Sequence, residues 1–252
     1  MCENGPNDWF TGGTRRVTIV FRTLLALFAV AVLAAAPAFA ADLQPHKASY
    51  KVRISIVSGR LDTELRATTD GYVAHHVIKP VGLSRLLTNG TMDVTSEFRI
   101  ADYGVRPIAY HAVDTIRNDP EERIHFDWSA ARLTGTVGEQ DIALDLDGDT
   151  YDNVSIQYEL MHDLLNGGPE NTYVIFDADE MRVANVVHAG TKTVRTKAGS
   201  FDVVGVRHQK AGSSRVTTLW CAADLGYLPV IIEQHRKGKL NFSATLTSYT
   251  PT

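Results

Sequence analysis

The sequence predicts a mainly β fold, in which one large curved antiparallel sheet forms an open barrel or half-barrel and a single helix covers about residues 153–166. Three observations predict it. Apolar and polar residues alternate with period two over most of residues 48–249, as in strands with one buried face. Clusters that contain Gly and Asp separate several of the alternating runs. No low-complexity linker divides the chain, so we expect one large domain, with a two-lobed sheet hinged near the helix as the alternative.

The first half of the domain contains strand patterns joined by short turns. Residues 49–56 alternate between polar and apolar side chains, and Ser58-Gly59 is predicted to form the hairpin turn into a second pattern at 60–67. Asp70-Gly71 is predicted to form the next hairpin turn. Further strand patterns follow at residues 72–78, 91–100, 108–116, 123–128, 133–137 and 141–146.

Residues 149–168 interrupt this alternation and predict the helix. Asp152 or Asn153 is positioned to cap its start, and the Gly-Gly-Pro sequence at 167–169 ends it. The apolar positions of this segment share a spacing of three or four residues, which gives the helix one apolar face. They are Val154, Tyr158, Met161 and Leu165, widened by Ile156, Leu160 and Leu164.

The second half of the domain returns to strand patterns. They cover residues 172–178, 182–188, 191–196, 201–207, 215–221, 228–233 and 241–249. Three turns are predicted between them, at 197–200, 210–213 and 236–239. The whole domain is therefore expected to hold about a dozen short antiparallel strands.

The first 40 residues have the organisation of a secretory signal peptide. Three arginines precede an apolar run at residues 23–36, and small residues follow as an A-x-A-like cleavage site. The run is shorter than the roughly 20 residues that span a bilayer, so a transmembrane helix is the weaker interpretation. We expect cleavage after Ala40, which leaves residues 41–252 as a single exported β-rich domain in the periplasm.

Charge and cysteine content exclude several classes of protein. The chain has 25 Lys and Arg against 29 Asp and Glu, a net charge of −4, and loss of residues 1–40 makes it −5. Such a balance argues against a nucleic-acid partner, which favours clustered positive charge. The exported domain keeps only Cys221, so it forms no internal disulfide, and burial of Cys221 in a strand is expected.

Catalytic and metal-binding motifs are not found in the sequence. It contains no G-x-S-x-G or H-E-x-x-H motif. His75 and His76 are adjacent, so on a strand they point to opposite faces, and the other histidines are dispersed. The acidic run at 145–149 resembles a calcium loop, but Thr150 and Ile156 stand where an EF-hand has Gly and Glu. We therefore assign no catalytic residue, no metal ligand and no cofactor, and expect a protein that is not an enzyme.

Aromatic side chains are the candidate ligand contacts. A curved sheet of this length must fill its concave face with side chains or enclose an apolar cavity, and aromatic rings fall in or beside the predicted elements. The candidates are Trp128, Tyr158, Phe176, Trp220 and Tyr227. Ordinary packing in the core is the alternative interpretation.

The last third of the chain carries the most recognisable motif. Thr196-Lys-Ala-Gly-Ser-Phe201 is followed by the segment 218–230, which contains Trp220, Asp224 and Leu228-Pro-Val. This order resembles the domain-of-unknown-function family 3108 of exported bacterial proteins, and segments 96–98, 106–110, 126–128 and 152–155 fit the same pattern. The resemblance covers most of residues 48–249. It implies an exported β-rich domain and brings no catalytic residues, because the family has no established activity.

These features favour a non-enzymatic binding or carrier protein for an apolar or amphipathic envelope ligand, such as a lipid. An envelope structural or assembly protein with an envelope protein as its partner is one alternative, and an envelope hydrolase is a less favoured one. An integral outer-membrane barrel is not favoured, because the strands are short and several carry charges on both faces. After signal cleavage, the chain is expected not to be an integral membrane protein.

Overall fold

Fifteen strands and one α-helix make up the structure, a computed structural model that describes residues 42–54, 57–101 and 104–252. The predicted signal peptide at 1–40 and its cleavage after Ala40 lie outside the described residues. Two short 3₁₀ turns occupy Gly82–Leu86 and Ala223–Leu225. The helix α1 covers Ser155–Asn166. The strands are β1 (His46–Ile54), β2 (Val57–Ala67), β3 (Tyr72–Pro80), β4 (Met92–Ala101), β5 (Gly104–Asp114), β6 (Glu122–Asp127), β7 (Arg132–Val137), β8 (Gln140–Asp145), β9 (Thr150–Tyr151), β10 (Thr172–Asp177), β11 (Glu180–Arg195), β12 (Ser200–Lys210), β13 (Arg215–Ala222), β14 (Leu228–Arg236) and β15 (Lys239–Pro251).

All fifteen strands belong to one sheet that is not closed. Strand β1 lies in its middle and pairs with β2 on one side and β15 on the other. From there one arm runs through β2 to β8, and the other runs back from β15 to β9. The mainly β prediction with one large open sheet and a single helix is confirmed. The number of strands exceeds the expected dozen, and the short pair β9–β10 is parallel, whereas every pair was expected to be antiparallel.

The predicted hairpin turn at Ser58-Gly59 is wrong. Gly59 lies within β2, opposite Val52, and the ladder between β1 and β2 continues to the pair Ile54–Val57. A Cβ on Gly59 would stand 3.1 Å from the carbonyl oxygen of Lys79 on the next strand. The glycine is therefore used for the close approach of two strands, a role that leaves the same sequence signal as a turn.

The two strands predicted at 182–188 and 191–196 form one long strand, β11. A β-bulge between His188 and Thr191 shifts the register against β12 without ending the strand. Gly190 lies in this interval with a φ of +90°, a conformation that glycine adopts without steric cost. The interval that separates the two predicted strands is therefore a β-bulge within one strand.

The helix α1 begins and ends close to the predicted positions. The carboxylate Oδ1 of Asp152 accepts hydrogen bonds from the backbone N–H groups of Val154 and Ser155, each at 2.8 Å. Asp152 is thus the capping side chain of the two that the sequence offered. At the other end, Gly167 has a φ of +134°, and the N–H of Gly168 donates to the carbonyl of Asp163 at 2.7 Å. In the part of the chain described by the structure, no helix has the length and apolar character needed to span a membrane.

The core lies between α1 and the sheet. The helix packs on β5 and β4, and the far edge strand β9 also contacts β5, so the two arms of the sheet curve around the helix. The ring of Tyr158 is completely buried and stacks on Phe98, with 5.2 Å between ring centroids. Asp152 also accepts a hydrogen bond from Ser96 Oγ at 2.7 Å, which joins the start of the helix to β4.

Cys221 occupies the core, as the sequence predicts. Its side chain on β13 is 1% exposed. This burial raises the pKa of the Cys221 thiol to about 12, so the thiol stays protonated at neutral pH.

Candidate ligand cavity

A cavity of about 470 Å³ lies between the two arms of the sheet, beside the first turns of α1. Strands β4 to β6 form one wall, and β10 to β14 form the other. We call this space the interarm cavity. Its charged and hydrogen-bonding lining residues are Tyr110, Asp114, Arg117, Asp119, Glu122, Asn153, Gln157, Asp177, Arg182, His208, Lys210, Ser213, Arg215, Thr217 and Gln234; its other lining residues are Met92, Ala112, Pro120, Ile156, Leu160, Ala178, Leu219 and Ile232.

Sheet geometry explains why these side chains converge. Residues two apart on a strand point to the same face, so His208 and Lys210 both face inwards from β12, and Thr217 and Leu219 do so from β13. Glu122 reaches the cavity from the first residue of β6 on the opposite arm. The curvature of the sheet therefore brings residues from distant parts of the sequence to one space.

Several charged residues of the lining are paired with one another. Arg117 Nε contacts Asp114 Oδ2 at 2.6 Å, and a second guanidinium nitrogen contacts Asp119 at 2.8 Å. Across the cavity, Lys210 Nζ lies 2.9 Å from Asp177 Oδ2 and 3.2 Å from Asn153 Oδ1. These pairs hold the side chains of the wall in place, and such order reduces the entropy cost of binding a ligand.

Three other polar atoms of the lining residues are buried without a hydrogen-bond partner among the described residues. They are Oε2 of Glu122, Nε of Arg182 and Nδ1 of His208. Arg182 Nε lies 3.6 Å from Asp177 Oδ2, which is too far for a hydrogen bond, whereas another nitrogen of the same guanidinium forms an ion pair with Glu180. Because a buried polar group without a partner costs roughly 1–3 kcal/mol, a ligand that pairs with these atoms would recover that energy.

Burial also alters the protonation of the cavity. Burial, reinforced by Asp177 and Asp119, raises the pKa of Glu122 to about 7, against the weaker opposing effect of Arg117 and Lys210. Burial and the charge of Lys210 lower the pKa of His208 to about 4. At neutral pH, His208 is therefore a neutral imidazole, and the Glu122 carboxyl exchanges between its protonated and ionised forms.

The cavity also has an apolar side. Leu160, which is 2% exposed, and Ile156 contribute it from α1, and Leu219 and Ile232 contribute it from β13 and β14. Polar groups from the sheet and loops thus stand beside an aliphatic surface. This arrangement suits a molecule with a polar head and an apolar body.

The five aromatic residues predicted to contact a ligand lie elsewhere, and none of them lines the interarm cavity. The indole N–H of Trp128 donates to the carbonyl of Pro107 at 2.6 Å. Trp220 donates to Glu233 Oε2 at 3.1 Å, and Lys192 Nζ stands 3.5 Å from the centroid of its ring. Both indoles are therefore already engaged by neighbouring groups.

The remaining three predicted residues are spread over the fold. Tyr158 and Phe176 are completely buried, on α1 and β10. Tyr227 follows the 3₁₀ turn at Ala223–Leu225 with a φ of +60° and is partly exposed. Contact of the five aromatic side chains with a ligand stays a prediction, and their positions favour a packing role.

The sequence did carry a signal for the cavity residues. Polar residues two apart on a strand put both side chains on one face, as His208 and Lys210 do on β12. The predicted strand ends at residue 207 and Lys210 falls in the predicted turn at 210–213, so this pair was missed. The alternation also does not show that the strands of two arms meet, so the residues on β6 and β12 could not be joined into one site.

A second cluster of polar side chains lies on α1, outside the interarm cavity. Glu159, His162 and Asp163 offer one ligand atom each, and these atoms all lie within 4.8 Å of one another. Burial raises the pKa of Glu159 to about 7 and also raises the pKa of Asp163. This cluster contains the types of side chain that can bind a metal ion, although the sequence analysis assigned none.

Comparison with known proteins identifies the family. A family model with the description "Protein of unknown function (DUF3108)" matches residues 46–243. The chain belongs to the DUF3108 family. The resemblance drawn from the 196–201 and 218–230 motifs is thereby confirmed. No curated protein sequence matches this DUF3108 chain.

One solved structure shares the fold at low sequence identity, and two others match with lower TM-scores. A β-barrel-like protein of the domain of unknown function DUF1849 from Brucella abortus is 15% identical, with a TM-score of 0.59 over 84% of this chain and 99% of that chain. This similarity confirms the barrel-like sheet of the DUF3108 protein. A putative exported protein with a YmcC-like fold from Bacteroides fragilis is 11% identical (TM-score 0.29, 82% of this chain and 94% of that chain). A putative lipoprotein from Parabacteroides distasonis is 9% identical (TM-score 0.32, 83% of this chain and 100% of that chain).

Proposed function

We propose that this DUF3108 protein is an exported, non-enzymatic binding protein that holds an amphipathic envelope ligand in the interarm cavity. The observation that carries the proposal is the set of three buried, unpartnered polar atoms, on Glu122, Arg182 and His208, in residues that line a cavity with an aliphatic side. The volume of about 470 Å³ lies in the range of small-molecule sites. Export to the periplasm, with cleavage after Ala40, is part of the same proposal.

The charges of the lining indicate which polar head fits. Its four basic side chains stand against four acidic ones, of which Glu122 is partly protonated at neutral pH, so the cavity offers only a fractional excess of positive charge. Arg182 Nε is a donor, whereas Glu122 can donate or accept because its pKa is about 7. The proposed ligand therefore has a zwitterionic or neutral polar head, with both donors and acceptors, on an apolar body.

Ligand recovery from the full chain tests this proposal. The protein would be produced with its own N-terminal segment, purified without detergent, and analysed by native mass spectrometry and solvent extraction. Lysophosphatidylethanolamine, lysophosphatidylglycerol and a neutral disaccharide would then be titrated against it as probes. We expect the zwitterionic lysolipid to bind most tightly, because its head matches the balanced lining and its chain matches the aliphatic side.

Matched variants locate the binding. His208→Leu and Arg182→Gln each remove a side chain that carries one of the unpartnered atoms, and are expected to weaken lysophosphatidylethanolamine binding at least tenfold. His75→Leu is the control, because His75 pairs with Asp93 and does not line the cavity. Circular dichroism would verify that each variant is folded. Equal binding by all variants, or no bound molecule and no lysolipid binding, would contradict the proposal.

An envelope assembly role is the second candidate, and the open edge of the sheet favours it. Strand β8 is one of the two edges, and five of its six residues are exposed or partly exposed, with only Ile142 buried. An unpaired edge offers backbone groups to a strand of another protein. Cross-linking from a photoreactive residue at Ala143 in living cells tests this role, and capture of a single envelope protein at β8 would support it.

The envelope hydrolase remains the less favoured alternative. It predicts a concave cluster of titratable groups, and Glu122, His208 and Lys210 form one. In the described part of the chain, however, His208 makes no hydrogen bond to a hydroxyl or a carboxylate, which a base that activates a nucleophile requires. The geometry therefore supports binding better than catalysis.

A further inference from the structure

The cluster of Glu159, His162 and Asp163 on α1 is independent of the interarm cavity. Residues spaced three and four apart lie on one face of a helix, so the three side chains project together. Their nearest polar neighbours come from β5, β9 and β10, whereas the cavity faces Ile156 and Leu160. We call Glu159, His162 and Asp163 the carboxylate–histidine cluster.

Neutral donors orient both carboxylates. Oε2 of Glu159 accepts from the backbone N–H of Val105 at 2.6 Å, and Oε1 accepts from the hydroxyl of Tyr151 at 2.9 Å. The hydroxyl of Tyr173 donates to Asp163 Oδ2. Each carboxylate oxygen has two acceptor sites, so these bonds leave lone pairs free for another partner.

No basic side chain neutralises these carboxylates. Among the described residues, neither Glu159 nor Asp163 forms an ion pair with a lysine or an arginine. Glu159 is nevertheless only 3% exposed. A buried carboxylate with a second carboxylate beside it requires either protonation or a cation, because burial of unpaired negative charge is costly.

The imidazole of His162 adds an independent observation. His162 is 8% exposed, and its Nδ1 is buried without a hydrogen-bond partner among the described residues. The ionised carboxylates beside His162 accept hydrogen bonds and cannot donate one to an unprotonated nitrogen. Such a nitrogen of a neutral imidazole is a good metal ligand. His162 thus has a buried nitrogen without a partner, and one of its two ring nitrogens lies within 4.8 Å of ligand atoms of both carboxylates.

The backbone of β5 leaves room for the cluster. Gly104 has a φ of +140°, and a Cβ there would lie 2.5 Å from Glu159 Oε1. Any larger residue would therefore collide with the carboxylate, as well as being strained. Glycine at this position lets the Glu159 carboxylate reach the backbone N–H of Val105.

We propose that the carboxylate–histidine cluster binds a divalent transition-metal ion, with Zn²⁺ as the best match. Carboxylate oxygens and imidazole nitrogens are both zinc ligands, and three protein ligands leave a fourth position open to water. Ligand atoms around a tetrahedral zinc ion lie about 3.3 Å apart, so atoms within 4.8 Å need only small side-chain rotations. The imidazole favours Zn²⁺ over Mg²⁺ and Ca²⁺, which prefer oxygen ligands alone. Val105, Tyr151 and Tyr173 would hold the carboxylates in position.

Metal titration of the full chain tests the proposal. The protein would be stripped with a chelator and titrated with ZnCl₂ by calorimetry, and Co²⁺ would be added separately to record its visible absorption bands. We expect one Zn²⁺ per chain, a higher melting temperature with zinc, and a Co²⁺ spectrum of a four-coordinate site. Absence of stoichiometric zinc binding would overturn the proposal, and tighter binding of Mg²⁺ or Ca²⁺ would overturn the choice of metal.

Three variants assign the ion to the cluster. His162→Leu and Asp163→Asn are each expected to weaken zinc binding at least 100-fold and to abolish the Co²⁺ spectrum. Asp163 is partly exposed, so its variant is expected to fold even if His162→Leu does not. His75→Leu is the control, because His75 and Asp93 form an exposed histidine–carboxylate pair at 2.8 Å on another part of the sheet. Unchanged affinity in Asp163→Asn, or equal loss in His75→Leu, would place the ion elsewhere and refute the assignment.

Discussion

The hydroxyl of Tyr158 on α1 lies 3.1 Å from Nε2 of His76 on β3. The two residues are 82 positions apart in the sequence, and their contact joins the helix to the first arm of the sheet. Burial lowers the pKa of His76 to about 3, so the imidazole that meets Tyr158 is neutral. This contact ties the only helix of the described chain to the sheet that curves around it.

Substitution of Tyr158 separates its packing from its hydrogen bond. Tyr158→Ala removes a ring that is completely buried and is expected to lower the free energy of unfolding by about 3–5 kcal/mol. Tyr158→Phe keeps the ring and leaves His76 Nε2 without its partner, so a loss of about 1 kcal/mol is expected. Urea denaturation followed by circular dichroism measures both. Tyr249→Phe, at a partly exposed position, is the control, and an equal small loss in both Tyr158 variants would show that the ring does not support the core.

His76 predicts a loss of stability in mild acid. The folded pKa of about 3 lies below the usual 6.5, because of burial and the nearby His46 and His75. Between these pH values the unfolded chain binds a proton that the folded chain excludes, so stability falls as the pH decreases below 6.5. His76 is expected to contribute about 1–2 kcal/mol of loss between pH 7 and pH 5. Urea denaturation at both pH values should show a smaller pH dependence in His76→Gln and an unchanged one in His75→Gln; an unchanged dependence in His76→Gln would contradict the prediction.

The raised pKa of Glu122 predicts that stability falls as the pH rises, which is the opposite of the effect of His76. The folded pKa of Glu122, about 7, exceeds the ordinary 4.5, through burial and the charges of Asp177 and Asp119, with Arg117 and Lys210 opposing. Stability from the protonated carboxyl is present below pH 4.5 and is lost as the pH rises through about 7. Glu122→Gln is therefore expected to stabilise the protein more at pH 8 than at pH 5, measured by thermal unfolding.

The neighbouring Glu121 provides the control for that measurement. Its hydrogen bond with His111 lowers the pKa of the Glu121 carboxyl, which is the opposite direction. Glu121→Gln should therefore give no extra stability at pH 8. A Glu122→Gln variant that gained as much at pH 5 as at pH 8 would show that the carboxyl is ionised in the folded protein throughout this range.

Gly205 and Trp220 are cross-strand neighbours on β12 and β13. A Cβ on Gly205 would stand 2.7 Å from Cζ3 of Trp220, and the indole is held by its hydrogen bond to Glu233. Gly205→Ala is thus expected to cost about 1–3 kcal/mol through overpacking. In a Trp220→Leu background the same substitution should cost much less, and a double-mutant cycle of unfolding free energies measures the coupling. Additive effects would indicate that the indole does not restrict position 205.

Local sequence patterns predicted most of the elements. The alternation at 72–78 and the helical spacing from Val154 to Leu165 correspond to β3 and α1, because side-chain periodicity is a property of neighbouring residues. The failures are also local in origin. Ser58-Gly59 has the composition of a turn, but its glycine allows two strands to approach closely. Strand β9 was missed because its two residues are too few to show a period.

The candidate sites were less predictable. Arg182, His208 and Glu122 come from three strands on two arms, and only the curvature of the sheet brings them to one cavity. Glu159, His162 and Asp163 share one helix face, so a search for i, i+3 and i+4 spacing could have found them. The burial of Glu159 and His162 and the unpartnered Nδ1 of His162 distinguish this cluster from a solvated helix face, and both are visible only in the folded chain.

The fold class, the helix and the family follow from the sequence, because alternation, helical spacing and short motifs are encoded in residues that lie close together along the chain. The sequence also indicated that Cys221 would be buried. The tertiary structure alone decided that the two arms curve around α1, that the interarm cavity is lined with balanced charges, and that the predicted aromatic side chains pack elsewhere. The physical reason is that burial and electrostatic environment depend on contacts between residues far apart in the chain, and periodicity contains no information about which strands will meet.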